Sequence, residues 1–175
     1  MIKLRDFSIG YGSKMLLSHC NVSFTAGQLT ALIGRNGTGK STFLRAIAGL
    51  NRHYRGTVTI DSNDIATMQP QQLARMLAFV TTERTRIPNL RCEDVVAIGR
   101  APYTNWIGRM QPIDREIVMH SLDVVGMSDY ASRTMDTMSD GECQRIMIAR
   151  ALAQTTPVIL LDEPTSFLDI PNRYG

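Results

Sequence analysis

The sequence predicts an α/β protein: a mostly parallel sheet with flanking helices, preceded by an antiparallel β part at the N-terminus and interrupted by a helical insertion. Three observations predict this class. The apolar run at residues 29–33 is followed at once by a glycine-rich loop and a helix-like stretch, the strand–loop–helix order of a parallel α/β layer. A second apolar run, Val158-Ile159-Leu160-Leu161, ends in two acids, Asp162 and Glu163. Between them the chain changes character at Thr81 and stays rich in Arg and Met to Met138, with apolar residues at helical spacing. The expected division is a core of residues 1–80 and 139–175 and a helical subdomain of residues 81–138.

Taken in order, residues 2–9 alternate apolar and polar, the period of a strand with one wet face, and Gly10-Tyr11-Gly12-Ser13 reads as the turn after it. Residues 29–33 read as a short buried strand. Residues 40–50 read as a helix with Phe43, Leu44, Ile47 and Ala48 on one face and Gly49 near its end. Residues 56–60 suit a strand closed by the turn-forming Asp61-Ser62-Asn63-Asp64, and residues 69–76 a short helix starting around Pro70. A buried strand at residues 77–80 follows. In the insertion Pro88, Pro102 and Pro112 punctuate the chain, and Ile113, Ile117, Val118, Leu122 and Val125 mark a helix before Gly126. Ser139, with Glu142 three residues on, is a capping box that starts a helix running to Ala153.

The chemistry lies in the loop and in the acids. Gly34-Arg35-Asn36-Gly37-Thr38-Gly39-Lys40-Ser41-Thr42 fits the spacing of a phosphate-binding loop, whose N–H groups cradle phosphates while Lys40 reaches the β/γ oxygens and Ser41 ligates Mg²⁺. The following helix adds its partial positive charge. A chain that grips a triphosphate and places an acid beside the metal has the parts to hydrolyse it. The sequence thus reads as a P-loop NTPase core. At Ser139 a cap alone and a phosphate-binding helix start are equally open on local sequence.

Composition removes other classes. At 175 residues and 43% hydrophobic the chain has material for about one domain, and a net charge of +3 is too small and dispersed to call for nucleic acid. Cys20, Cys92 and Cys143 stand far apart, an odd count suited to reduced thiols, and His19, His53 and His120 are equally scattered, so no metal site is expected from them. The first residues contain no signal-peptide core, and no apolar run approaches the ~20 residues of a membrane span. Contact with a membrane is therefore expected to pass through a partner.

The phosphate loop, the segment Ser139-Asp140-Gly141-Glu142-Cys143-Gln144-Arg145 and the stretch from Leu160 to Asp169, in this order, resemble the nucleotide-binding subunits of ABC transporters. Val95-Val96-Ala97-Ile98-Gly99-Arg100-Ala101-Pro102-Tyr103 and Phe167-Leu168-Asp169-Ile170-Pro171 look most like the importer branch that handles iron-siderophore, haem and cobalamin complexes. The resemblance implies ATP and Mg²⁺ as cofactors. It implies that Tyr11 stacks on adenine, against the alternative of a turn tyrosine packed on its own sheet. Gly34, Asn36, Gly37, Thr38, Gly39, Lys40, Ser41 and Thr42 would grip the phosphates. Asp162 would organise the magnesium shell with Ser41, and Glu163 would act as base on the attacking water. Ser139 and Gly141 would face the ATP of an opposite subunit, and Asp169 would lie in the loop crossing that interface. The implied partners are a second ATPase subunit, identical or paired, and membrane permease subunits contacted through residues 83–109. Arg100, Tyr103 and Trp106 are candidate anchors there, with simple packing or an exposed loop as the alternative. The chain would sit peripherally on the cytoplasmic side of the inner membrane.

The sequence departs from the family pattern at three places. Thr81-Thr82-Glu83-Arg84 stands where the family carries a glutamine, which makes Glu83 the candidate oxygen ligand toward the metal. Asp140 replaces a signature glycine. The sequence ends at Gly175, before the strand that carries the family's switch histidine, so it is expected to be C-terminally truncated and to have little or no activity by itself. Two rival readings are a soluble ABC ATPase acting on ribosomes or DNA, and a non-hydrolysing nucleotide-binding module.

Overall fold

A computed structural model describes residues 2–12, 14–81, 87–104 and 109–164. The chain forms two compact units, Met1–Leu77 and Ala78–Gly175.

In the first unit, β1 (Ile2–Tyr11) is the centre of an antiparallel sheet, bonded to β2 (Lys14–Phe24) on one side and to β3 (Tyr54–Ile60) on the other. The short β4 (Asn63–Asp64) completes the order β2-β1-β3-β4. Along β1 the buried residues shift from Ile2 and Leu4 to Phe7 and Ile9, because the register slips between Leu4 and Phe7. Asp6 takes a left-handed φ of 48° at this bulge, and Gly56 on β3 answers it at φ 86°. A Cβ on Gly56 would sit 2.3 Å from the Asp6 carbonyl oxygen, so only glycine lets the strands pass.

Helix α1 (Lys40–Ile47) buries Phe43, Ala46 and Ile47. Phe7 of β1 meets Phe43 edge-on at 5.7 Å and lies tilted on Tyr54 at 5.3 Å, which pins the helix to the antiparallel sheet. Gly49, at φ 72°, ends α1 with a left-handed turn. Helix α2 (Pro70–Met76) begins at the expected proline and is closed by a Gln69–Gln72 capping box.

Two expectations are corrected here. Residues 29–33 form no strand; Leu29 is 100% exposed and Ile33 91%. Apolar composition marks a segment that gains by burial, but a strand also needs neighbours for its N–H and C=O groups, and no ladder reaches this run among the described residues. Conversely β2 is an eleven-residue strand with no signature in its own residues, since most of it is exposed and its apolar positions do not alternate cleanly. Gly10 and Tyr11, expected in a turn, are instead the last residues of β1, with Tyr11 paired to Lys14 across the β1–β2 hairpin.

In the second unit, β5 (Leu77–Val80) leads into the insertion and pairs with β6 (Val158–Leu161). The N–H of Asp162 donates to the carbonyl of Val80 at 3.0 Å, so the C-terminal ends of the two strands lie together, as in a parallel pair. Between them come α3 (Cys92–Ala97), a 3₁₀ turn at Ile98–Tyr103, α4 (Pro112–Val124) and α5 (Asp140–Ala153). Val95 and Val96 of α3, Val118 and Leu122 of α4, and Ile146 and Ala149 of α5 form one core with Met127 and Met135. The first N–H groups of α3 are satisfied from far along the chain: Cys92 donates to Arg133 O at 2.8 Å and Glu93 to Ala131 O at 2.9 Å. Gly99 is the tightest approach, since a Cβ there would lie 2.2 Å from the Arg150 carbonyl oxygen of α5. Cys92 and Cys143 are buried and form no disulfide, and burial pushes the Cys92 thiol up from its ordinary value.

Candidate functional site

The loop ahead of α1 is built by its own polar groups. Thr38 Oγ1 donates to the Arg35 carbonyl at 2.8 Å, and Lys40 Nζ donates to the carbonyls of Gly34 at 2.8 Å and Arg35 at 3.0 Å. The chain thereby wraps around the lysine head group. Gly37 and Gly39 sit at φ 76° and 95°, a region that L side chains rarely enter, and Gly39 is the N-cap of α1. A Cβ on Gly39 would also meet Leu16 Cδ1 of β2 at 2.7 Å. Gly34, Asn36, Gly37 and Thr38 are exposed, while Lys40, Ser41 and Thr42 are half-buried in the first turn of α1. All of them lie in the loop and the first turn of α1. Arg35 carries no signal in sequence, because it contributes through its carbonyl oxygen and any residue type supplies one.

Tyr11 is 82% exposed at the hairpin tip, which rules out the alternative of a tyrosine packed on its own sheet. Its hairpin carries Leu16, the side chain nearest Gly39, so the tip and the phosphate loop belong to the same corner of the first unit.

In the second unit Asp162 is 2% exposed at the end of β6, and Glu163 beside it is exposed with a left-handed φ of 48°. A non-glycine residue in that conformation is a local strain typical of functional positions. Ser139 is the N-cap of α5: its hydroxyl accepts from Glu142 N at 3.3 Å, and the Glu142 carboxylate accepts from Ser139 N at 2.8 Å. The reciprocal bonds hold the Glu142 carboxyl below its usual range, the Ser139 backbone bond being the main cause. The capping box is thus real. Gly141 lies in the first turn of α5, where N–H groups point out of the helix. Glu83, Trp106 and Asp169 lie outside the described residues.

Arg100, a candidate surface anchor in the sequence, is instead 5% exposed. Its guanidinium bonds Asp114 at 2.9 Å, the Ala153 carbonyl at 2.8 Å and Thr155 Oγ1 at 2.8 Å, and lies 4.2 Å from the centre of the Tyr103 ring. It is a structural cross-tie. Asp114 also accepts from Gln111 N at 2.8 Å; this bond, with Arg100, holds its carboxyl below the ordinary range.

The donor set of the loop fits a nucleotide phosphate: a lysine head group held by carbonyl oxygens, glycines at positive φ and a helix N-terminus. Among the described residues no three His, Cys, Asp or Glu side chains gather to cage a metal. Mg²⁺ needs no such cage when one carboxylate, a hydroxyl and substrate phosphates hold it. No described helix is long and apolar enough to cross a membrane.

Comparison with known proteins agrees with this geometry. The family model described as ABC transporter matches residues 17–166. The chain is 42% identical over 99% of its length to an uncharacterised ABC transporter ATP-binding protein of Methanocaldococcus jannaschii, covering 60% of that protein. It is 35% identical over 98% of its length to the iron(3+)-hydroxamate import ATP-binding protein of Bacillus subtilis, covering 64% of it. The chain therefore spans less than two thirds of the length of these relatives. Among solved structures it is similar to a dimeric ATP-binding cassette in a post-hydrolysis state bound to ADP and Pi, with a TM-score of 0.82 and 28% identity over 97% of this chain and 77% of that one.

Proposed function

Because the chain belongs to the ABC transporter family, we propose that it is the ATP-binding part of a transporter motor that imports an iron-siderophore, haem or cobalamin complex through ATP-driven dimer closure and hydrolysis. The observation that carries this reading is the loop in which Lys40 is already held by two carbonyl oxygens. A polyphosphate that displaces those carbonyls gives Lys40 stronger, charge-assisted partners while the glycines let backbone N–H groups close on it. The relative from Bacillus subtilis, whose name states iron(3+)-hydroxamate import, supports the importer branch.

In this reading the N–H groups from Asn36 to Thr42 orient the phosphates, and Ser41 and Asp162 would hold Mg²⁺, with Glu83 as a further candidate oxygen donor. Held there, Mg²⁺ would supply positive charge against the charge that develops on the transferred phosphoryl oxygens. Glu163, exposed beside Asp162, would take a proton from the attacking water. Tyr11 offers an open ring face for stacking on adenine. Ser139 and Gly141 present the start of α5 to the nucleotide of a second ATPase subunit, identical or paired, and Asp169 lies in the loop that meets it. Residues 1–80 and 139–175 then act as the ATP-binding core and residues 81–138 as the helical subdomain. Residues 83–109 contact membrane permease subunits, with Tyr103 and Trp106 as anchors, which places the protein peripherally on the cytoplasmic side of the inner membrane. Nucleic acid has no part in this scheme.

Two variants test it. Calorimetric titration with Mg-ATP should show binding by the wild type and at least tenfold weaker binding by Lys40→Ala. Glu163→Gln should keep the affinity and lose turnover in a protein that otherwise hydrolyses ATP. Equal affinity of wild type and Lys40→Ala would sink the proposal.

A further inference from the structure

Two non-glycine residues in left-handed conformation bracket β6: Thr155 at φ 51° before it and Glu163 at φ 48° after it. The far end is tied by the Asp162 N–H on Val80 O, and the near end by the Arg100 guanidinium on Ala153 O and Thr155 Oγ1. The same guanidinium holds Asp114, whose second oxygen caps α4 through Gln111 N. One buried cation therefore joins the 3₁₀ turn Ile98–Tyr103, the start of α4 and the turn between α5 and β6. Gly99, packed under the Arg150 carbonyl, leaves the turn no slack against α5.

From this geometry we infer that Arg100 is a positioning residue for the carboxylate pair Asp162–Glu163, acting through Thr155 and the four-residue β6. The inference rests on the proposed ATPase reading for the use of those acids. A strand of four residues is only about 13 Å long and stiff along its axis, so fixing its first turn fixes where its last residue ends. Asp114 and the Ala153 carbonyl still hold the guanidinium when the Thr155 hydroxyl is removed, so its loss frees the turn before β6 while the start of α4 stays tied. Displacement of the 3₁₀ turn or of the start of α4 is consequently passed to the acids rather than absorbed in a loop.

Thr155→Val removes the hydroxyl while keeping the side-chain shape, and Thr155→Ser keeps the hydroxyl. Amide exchange measured on this chain should be at least tenfold faster at residues 158–162 in the valine variant, with α3 and α4 unchanged and the serine variant behaving as wild type. In a protein that turns over ATP, Thr155→Val should lower kcat about tenfold with KM for ATP within twofold, again with rescue by serine. Unchanged exchange in the valine variant overturns the inference, as does faster exchange spread evenly over the unit, which marks a merely structural bond. Absence of ATP turnover in the wild type overturns the ATPase reading instead, and the exchange pattern still decides whether Arg100 and Thr155 set the position of β6.

Discussion

Lys40 shows how a single side chain serves two states. Its ammonium group fills the loop by bonding Gly34 and Arg35 carbonyls, all in an exposed setting where such bonds contribute little to folding. Lys40→Ala should accordingly change the melting temperature by no more than a few degrees while weakening Mg-ATP binding tenfold to a hundredfold, the equivalent of about 1.5–3 kcal/mol for a charge-assisted bond. Thermal denaturation and calorimetry on the same samples separate the two effects. The phosphate-loop residues were legible because their meaning is local: spacing, glycine and lysine are contiguous. Arg100 stayed open between surface anchor and packing for the opposite reason. Its partners stand 14, 53 and 55 residues away, and no window of sequence announces that a guanidinium will meet them.

At the scale of elements, the helices that carried their own punctuation formed where the sequence placed them. Helix α2 has its proline, α1 its closing glycine and α5 its capping box. Removing the cap in Ser139→Ala should cost about 1 kcal/mol of stability, read by chemical denaturation. The pH dependence has a definite sign. Glu142 is held below its ordinary range, so its contribution is complete above that range and is lost as the pH falls through the lowered value. Glu142→Gln keeps an acceptor but cannot titrate, so the wild type's advantage in melting temperature at neutral pH should vanish in acid. A gap that persists to low pH would exclude Glu142 as its source. Gly99→Ala forces a Cβ to within 2.2 Å of the Arg150 carbonyl, a backbone atom that moves only if α5 moves. A loss of about 3 kcal/mol, at the upper end of overpacking costs, is expected in urea titration. Strands were less legible than helices, since β2 is recognisable only through its pairing with β1.

For the whole molecule, the measurable question is whether ligand and fold are linked. Mg-ATP at 100 times its Kd adds about 2.7 kcal/mol to the binding-competent state, which for a chain of this size raises the melting temperature by about 5–11 °C. Differential scanning fluorimetry should show that rise in the wild type and not in Lys40→Ala. The class of the fold was readable because the sequence carries both the loop and the acidic strand end, while the two compact units follow from which segments pack together.

The open stretch at residues 29–33 bears on how the protein behaves in a test tube. Leu29, Thr30, Ala31, Leu32 and Ile33 hold no charge and no proline, and the flanking leucine and isoleucine face water almost completely. Such a window is a template for intermolecular cross-β stacking. Turbidity should therefore grow steeply with concentration, and Leu32→Lys should delay its onset. Storage life, more than folding, is what this segment governs.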